Sequence, residues 1–324
     1  MSTAFSVLVA AFNAEQTIGE TLDSLTAQTH PGWEAIVVDD GSADATLAVA
    51  KAYAARDPRI IALTKTNGGT ASARNLAASR AAGPWLLALD ADDMLESDAL
   101  ERQAGFMSDN PGFDIYSWGL VLQGPDGTRG IWPVSARHPD VASYTLEQLI
   151  EANIIPAGSV VGSGTFHRLG GYRDVFLEDY DFWLRALAQG ARHIHNPQPL
   201  SIYRVSASSK NADPDRRMRS AEEVLIDLAA QPGITRRQRR LARRAAAFQR
   251  GMRARLRLEA RMDAGDFHGA LGDYIAARPA YAGLHKWLAG LALVAICPRL
   301  FARIAPRSDV DGANIETPVG MLQD

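Results

Sequence analysis

The first hundred residues alternate between short apolar runs and stretches with apolar residues at helical spacing. Continuous apolar runs predict buried strands at 5–12, 34–38, 59–63 and 85–89. The stretches between them predict helices that begin at 17, span 44–55 and span 70–82. Strands separated by helices of this length predict a mostly parallel sheet that is covered by helices and joined by right-handed crossovers.

The pattern becomes less regular over residues 114–205. A strand is predicted at 114–122, and the turn sequence Gly124–Gly127 predicts that it continues into a hairpin. A helix is predicted at 178–187 and a last strand at 202–204. The polar stretch 206–216 then predicts a linker.

The C-terminal third is basic and helical in pattern. Residues 210–261 contain 15 lysines and arginines against six aspartates and glutamates. Helices are predicted at 236–262 and before Pro279, so we expect a domain at 1–205 and an α-helical region at 206–324. The apolar run 287–297 is too short to span a bilayer; it is expected either to pack as core or to contact a membrane surface.

Composition excludes several classes of protein. With 47% hydrophobic and 22% charged residues among 324, the chain is neither disordered nor a disulfide framework. Its one cysteine, Cys297, can form no internal disulfide, and a net charge of −3 gives no reason to expect nucleic acid as a partner. Because the first basic residue is Lys51, the apolar 5–12 run is expected to be a strand rather than a signal peptide. We expect a cytoplasmic protein, with peripheral contact to the cytoplasmic face of a membrane as an option.

Carboxylates follow two of the predicted strands, at the point where each strand ends. These residues are Asp39, Asp40, Asp90, Asp92 and Asp93. Ligands of open parallel sheets bind outside the carboxyl ends of the strands, so we expect all five carboxylates at one rim. Carboxylates brought this close repel one another unless a cation such as Mg²⁺ or Mn²⁺ lies among them. Capping of turns and helices is the alternative, but it explains one aspartate per loop rather than two or three.

Several motifs occur in an order that indicates a family. The segments SVLVAAFN, AQTHPGWEAIVVDDGSADAT, NGGTASARNLA, GPWLLALDADD and LGGYRDVFLEDYDFWLRAL cover residues 5–205. Together they resemble the nucleotide-diphospho-sugar glycosyltransferases with the GT-A fold, in particular the inverting family two. The resemblance implies an α/β GT-A sheet, a UDP-sugar donor and transfer to a glycan, a lipid-linked molecule or another acceptor.

The resemblance also implies a role for individual donor-side residues. Phe12 matches the aromatic residue that stacks on the donor base. Asp40 matches the carboxylate that accepts a hydrogen bond from the imide N–H of uracil. Asn67, Gly69 and Arg74 match the segment beside the nucleotide and diphosphate, where glycine allows close backbone approach.

The segment Asp90-Ala91-Asp92 resembles the family's DxD motif. Asp90 would face the ribose and the metal, and Asp92 would coordinate the Mn²⁺ or Mg²⁺ ion that neutralises the departing diphosphate. Asp93 is expected beside the donor without an assigned role.

Asp179 matches the family's catalytic base. Inversion by direct displacement needs one carboxylate to take the proton of the acceptor hydroxyl. Capping of the following helix is the structural alternative for Asp179, and Glu178 and Asp181 are the alternate bases. The neighbouring Phe182 and Trp183 are expected either to form a sugar platform or to be core.

One position departs from the family pattern. Many relatives carry a histidine two residues after a Tyr-Arg pair, where this chain has Ser206. His193 and His195 lie upstream and are expected to be structural.

Two other functions are weighed: a sugar-nucleotide pyrophosphorylase, which needs a basic glycine-rich loop after the first strand, and a non-catalytic nucleotide-sugar-binding protein.

Overall fold

The computed structural model describes residues 4–124, 127, 129–132, 143–204, 213–280 and 287. These residues belong to two compact units. The first lies within Met1–Leu149 and Asn153–Ala207, and the second lies within Ile150–Ala152 and Ser208–Asp324. Within the described ranges, no helix is both long and apolar enough to cross a membrane.

Strands and helices alternate through the first unit. The strands are β1 (Phe5–Ala11), β2 (Trp33–Asp39), β3 (Ile60–Thr64), β4 (Trp85–Asp90), β5 (Met94–Leu95), β6 (Ile115–Gln123), β7 (Arg129–Trp132), β8 (Val160–Gly162) and β9 (His193–Arg204). The helices before the second unit are α1 (Ile18–Thr26), α2 (Thr46–Ala54), α3 (Gly69–Ala78), α4 (Ala99–Asp109), α5 (Leu146–Glu151), α6 (Ser163–Arg168) and α7 (Glu178–Ala188). The strands and helices predicted in the first hundred residues are confirmed, with ends that shift by a few residues.

One sheet of mixed direction joins all nine strands. Its order is β3-β2-β1-β4-β8-β6-β9-β5, with β7 paired to β6. The half made of β3, β2, β1 and β4 is parallel throughout, while β8 runs antiparallel to both of its neighbours. The predicted hairpin is confirmed, because β7 returns antiparallel along β6. The α/β class with a mostly parallel, mixed sheet is therefore confirmed.

The core lies on both faces of the parallel half. In β1, the consecutive residues Val7, Leu8 and Val9 are all buried, as expected for a strand that helices cover on both sides. On one of these faces α1 buries Ile18, Leu22 and Leu25, which recur at spacings of three and four. The short apolar runs of the sequence are thus explained by burial on both sides.

His193 and His195 are structural, as predicted. The Ser117 hydroxyl lies 2.8 Å from Nε2 of His193 and 2.8 Å from Nδ1 of His195, and the Tyr144 ring stacks on both imidazoles. Burial lowers the pKa of His193 to about 3 and that of His195 to about 4, so both rings are neutral at physiological pH.

Three α-helices form most of the described part of the second unit, namely α8 (Pro214–Ala230), α9 (Arg236–Asp263) and α10 (Phe267–Ala276), and a short 3-10 helix follows at Arg278–Ala280. The helix pair predicted from the pattern is confirmed as α9 and α10. The predicted linker is wrong at its end: α8 already begins at Pro214, because Asp213 caps it by accepting a hydrogen bond from the Arg216 amide. The rest of the linker lies outside the described residues.

The apolar run 287–297 also lies outside the described residues, except for Trp287. The Tyr274 hydroxyl donates to the Trp287 carbonyl at 3.0 Å, and the two rings stack. Trp287 is half-buried and packs against α10, and the choice between core and membrane contact for the run stays a prediction.

Candidate active site

The candidate site begins where three parallel strands end together. In the sheet register, Ala11 of β1 lies beside Asp39 of β2, and Ala10 lies beside Asp90 of β4. Phe12 follows directly and is 52% exposed, so that its ring is open to contact. The chain then turns at Asn13, whose φ is +49°. Asn13 ties this turn to the loop after β2, because its side-chain oxygen accepts a hydrogen bond from the Ala43 amide at 3.0 Å.

Asp40 is buried among donors that the sequence analysis did not identify. It is 3% exposed, and its carboxylate accepts hydrogen bonds from Lys65 Nζ at 2.8 Å, from the Gly68 amide at 3.0 Å and from the Gly69 amide at 2.7 Å. The two amides belong to the start of α3, so Asp40 caps that helix from the loop after β2. Gly69 has a φ of +85°, a conformation that favours glycine.

The five carboxylates follow strands that end at the same rim, as predicted, but Asp39 and Asp40 do not join the close group formed by the other three. Asp39 accepts hydrogen bonds from the Ser42 amide at 3.2 Å and the Thr64 hydroxyl at 2.9 Å, so it is held by its own surroundings. The other three carboxylates do meet. Oxygens of Asp90, Asp92 and Asp93 all lie within 4.8 Å of one another.

This acidic cluster of Asp90, Asp92 and Asp93 has the donor set of a hard divalent cation. Burial, together with the charge of Asp90, raises the pKa of Asp92. Burial and the charges of Asp90 and Asp92 raise the pKa of Asp93 well above its usual range. The ionised forms therefore repel one another, and a cation held by the three carboxylates would relieve that repulsion.

Arg204, at the end of β9, holds the turn that carries the acidic cluster. Its amide donates to the Asp93 carboxylate at 3.0 Å, and its Nε donates to the Asp92 carbonyl at 2.5 Å. Its Nη1 donates to Glu20 of α1 at 2.6 Å, while its Nη2 is buried with no partner among the described residues. From the sequence, Arg204 was noted only as part of the Tyr-Arg pair before Ser206, and its contacts with this turn were not predicted.

Arg74 connects the acidic cluster to α7. Its side chain is 2% exposed; Nη2 lies 2.5 Å from Asp90, and Nη1 lies 2.9 Å from Glu178. Burial alone would lower the pKa of Arg74, but the charges of Asp90, Glu178 and Asp179 raise it, so the guanidinium stays charged. The residue predicted to lie beside the diphosphate is therefore fixed between β4 and the helix of the predicted base.

The first turn of α7 carries three carboxylates in different surroundings. The N-cap of this helix is Leu177, so the capping alternative for Asp179 is wrong. Asp181 is buried between Arg173 and Arg185, with Arg185 Nε at 2.8 Å, and Glu178 is buried against Arg74. Asp179 is the half-buried carboxylate of the three.

The sugar platform considered at this helix is wrong. Phe182 and Trp183 are both fully buried, so both are core residues. Ser206, the position that departs from the family pattern, lies outside the described residues.

Known proteins resemble this chain over much of its length. Residues 6–166 match the family model for glycosyl transferase family 2. EpsE of Bacillus subtilis, a protein assigned as a glycosyltransferase, is 30% identical over 217 residues, which are 63% of this chain and 73% of EpsE.

Two solved structures show the same fold. TarS 1–349 of S. aureus, solved in complex with UDP-GlcNAc, aligns with a TM-score of 0.65 at 18% identity over 93% of this chain and 88% of that one. The mannosyltransferase PcManGT of Pyrobaculum calidifontis, solved with GDP-Man and Mn²⁺, aligns with a TM-score of 0.61 at 21% identity over 94% of this chain and 84% of that one.

Proposed function

Because the chain belongs to glycosyltransferase family 2, we propose that it transfers a sugar from a nucleotide diphosphate to an acceptor hydroxyl, with metal dependence and inversion at the anomeric carbon. The observation that carries this proposal is Arg74. This buried cation binds Asp90 of the acidic cluster and Glu178 at the start of α7. It thereby ties the predicted donor side to the helix that carries Asp179, as a displacement between donor and acceptor requires.

The donor is a UDP-sugar in this proposal. Phe12 stacks on the base, and Asp40 accepts the imide hydrogen bond. Asn67 and Gly69 lie beside the nucleotide, because the loop that contains them is held by the Asp40 carboxylate. The UDP-GlcNAc complex of TarS supports a UDP donor by fold similarity, while the GDP-Man complex of PcManGT keeps guanine as the reserve.

Asp90 and Asp92 hold Mn²⁺ or Mg²⁺ in this proposal, with Asp93 beside them. The bound ion would neutralise charge that develops on the leaving diphosphate. The chain's own contribution is to keep three oxygen donors close together, with Arg204 fixing the turn and Arg74 fixing Asp90.

Asp179 is the general base. The oxygen of the acceptor hydroxyl bonds to the anomeric carbon while the bond from that carbon to the diphosphate breaks. The proton passes to Asp179, and the nucleoside diphosphate leaves with the bonding electron pair. The start of α7 favours the ionised form that a base needs, through its helix dipole. Glu178 and Asp181 are poorly suited because their carboxylates are buried in ion pairs with arginines.

We also propose that residues 1–205 are the catalytic domain, that 206–324 form a helical region, and that the enzyme acts in the cytoplasm. The acceptor is a glycan or a lipid-linked molecule.

One assay tests the proposal against its alternatives. Release of UDP from a panel of UDP-sugars, with and without Mn²⁺, should show Mn²⁺-dependent turnover with at least one donor, and NMR of the product should show an inverted anomeric centre. A pyrophosphorylase would instead form nucleotide sugar from UTP and a sugar 1-phosphate. A non-catalytic binding protein would bind UDP calorimetrically without turning over any donor.

A further inference from the structure

The arginines of α9 fall into two groups. Every arginine from 250 to 261 forms an ion pair with an aspartate or glutamate, at 2.5–3.4 Å. Within the described part of the chain, no arginine from 236 to 244 forms one. The unpaired group comprises Arg236, Arg237, Arg239, Arg240, Arg243 and Arg244.

The unpaired group is concentrated on one side of the helix. All but Arg239 are exposed, and their spacings of three and four place them opposite Ala242 and Ala246, which are buried. With a rise of about 1.5 Å per residue, the five exposed guanidinium groups extend over roughly 12 Å of helix. We call Arg236, Arg237, Arg240, Arg243 and Arg244 the arginine face.

The arginine face works against the stability of its own helix. Cations at a helix N-terminus oppose the macrodipole, and α9 has no acidic residue in its first turn. Like charges four residues apart, such as Arg236 and Arg240, repel each other. A capping box between Thr235 and Gln238 offsets part of this cost. Six arginines at the start of a helix, without an acidic partner among the described residues, indicate that this face binds an anion outside the protein.

We propose that the arginine face binds an anionic lipid surface. Five guanidinium groups on one side of a helix can contact a plane of phosphates together. The large exposed apolar residues of the described chain, Phe12, Ile61, Ile131, Ile226 and Ile275, all lie outside α9. The helix therefore has exposed positive charge but no large exposed apolar side chain that could insert into a membrane, and no exposed aromatic side chain on which nucleic acid bases could stack.

The choice of lipid over another polyanion rests on the lipid-linked acceptor of the proposed function, because transfer to such an acceptor takes place at a membrane. The arginine face is thus inferred to hold the enzyme where a lipid-linked acceptor lies.

Vesicle flotation with the full-length protein tests this inference. The protein should float with phosphatidylglycerol-containing vesicles at about 0.01 M salt, should not float with neutral phosphatidylcholine vesicles, and should be released at about 1 M salt. Combined replacement Arg236→Gln, Arg240→Gln and Arg243→Gln should weaken partition about 100-fold, since each cationic side chain contributes about fivefold at such a surface. Its melting temperature should not fall, because the replacement removes repulsion.

A matched control removes three charges from the first unit. Lys51, Arg56 and Arg80 are exposed and form no ion pair within the described residues, so their combined replacement by Gln should leave partition unchanged. Equal loss in both triple variants would overturn the inference, as would binding of heparin or RNA without binding of anionic vesicles. If the protein turns over a UDP-sugar but does not bind vesicles, only the inference of lipid binding is overturned. Normal vesicle binding without any turnover overturns the proposed function alone.

Discussion

The three carboxylates of the acidic cluster differ in their hydrogen-bond and ion-pair partners. Asp90 is bound by Arg74, and Asp93 accepts the amide of Arg204. The Asp92 carboxylate accepts no hydrogen bond from another residue in the described chain, although Arg204 holds its carbonyl. A carboxylate without a protein donor, raised in pKa by burial and by Asp90, is the one most available to a cation.

Asp92→Asn should therefore abolish metal-dependent turnover and leave the fold intact. A pKa raised by folding means that the ionised carboxylate costs stability above its unfolded pKa, so the neutral amide should keep or increase the melting temperature without metal. Turnover and Mn²⁺ binding by electron paramagnetic resonance measure the loss. Asp98→Asn, which weakens only a surface ion pair with Arg102, is the control. A wild-type rate for Asp92→Asn at saturating Mn²⁺ would refute the metal assignment.

Asp40 should select the donor base by the direction of one hydrogen bond. The N3–H of uracil can donate to a carboxylate, whereas cytosine presents an acceptor at that position. Calorimetry should show UDP binding roughly tenfold more tightly than CDP, the effect of about 1.4 kcal/mol. The ligand is varied rather than Asp40 itself, because replacing Asp40 would also release the amides of α3. Equal affinity for UDP and CDP would remove Asp40 from this role, and tighter binding of GDP would establish guanine as the base.

At the scale of an element, α7 carries both the predicted base, Asp179, and a carboxylate that stabilises the fold, Asp181, two positions later. Asp179→Asn should bind UDP nearly as well as the wild type but lose transfer by about 10²-fold or more, the usual scale for a general base. Asp181→Asn should mainly lose stability, by about 3 kcal/mol, because it leaves the buried Arg185 without its charged partner.

Transfer rates, UDP calorimetry and thermal melting distinguish the two effects. Asp109→Asn makes the same chemical change at an exposed position at the end of α4 and should alter none of the three. If Asp179→Asn lost UDP affinity and transfer to the same extent, Asp179 would be a structural residue instead.

The elements themselves were largely predictable from the sequence, because a buried strand and an amphipathic helix each leave a local pattern. The acidic cluster was predictable too, since Asp90, Asp92 and Asp93 are neighbours in the chain. A local sequence pattern does not show which distant residue a side chain will form an ion pair or hydrogen bond with. Arg74 and Glu178 are separated by 104 positions, and the donors around Asp40 come from another loop. Asp39 and Asp40 were therefore assigned to a cluster that they do not join.

At the scale of the whole molecule, the two compact units should respond separately to ligands. The predicted donor and metal residues all lie in the first unit, whereas the arginine face lies in the second. A ligand that binds the native state stabilises what it binds, by about 2.7 kcal/mol at 100 times its dissociation constant. UDP with Mn²⁺ should therefore stabilise the first unit and leave the second nearly unchanged.

Differential scanning calorimetry should show two transitions, of which UDP and Mn²⁺ shift one upward. Hydrogen exchange assigns the transitions, because amides of β1 and β4 should gain protection on ligand addition while amides of α8 and α9 should not. In Asp92→Asn the part of the shift that depends on Mn²⁺ should disappear, which separates the metal from UDP. A single transition that moves as a whole, with protection gained equally in β4 and α9, would mean that residues 1–205 do not unfold as an independent catalytic domain.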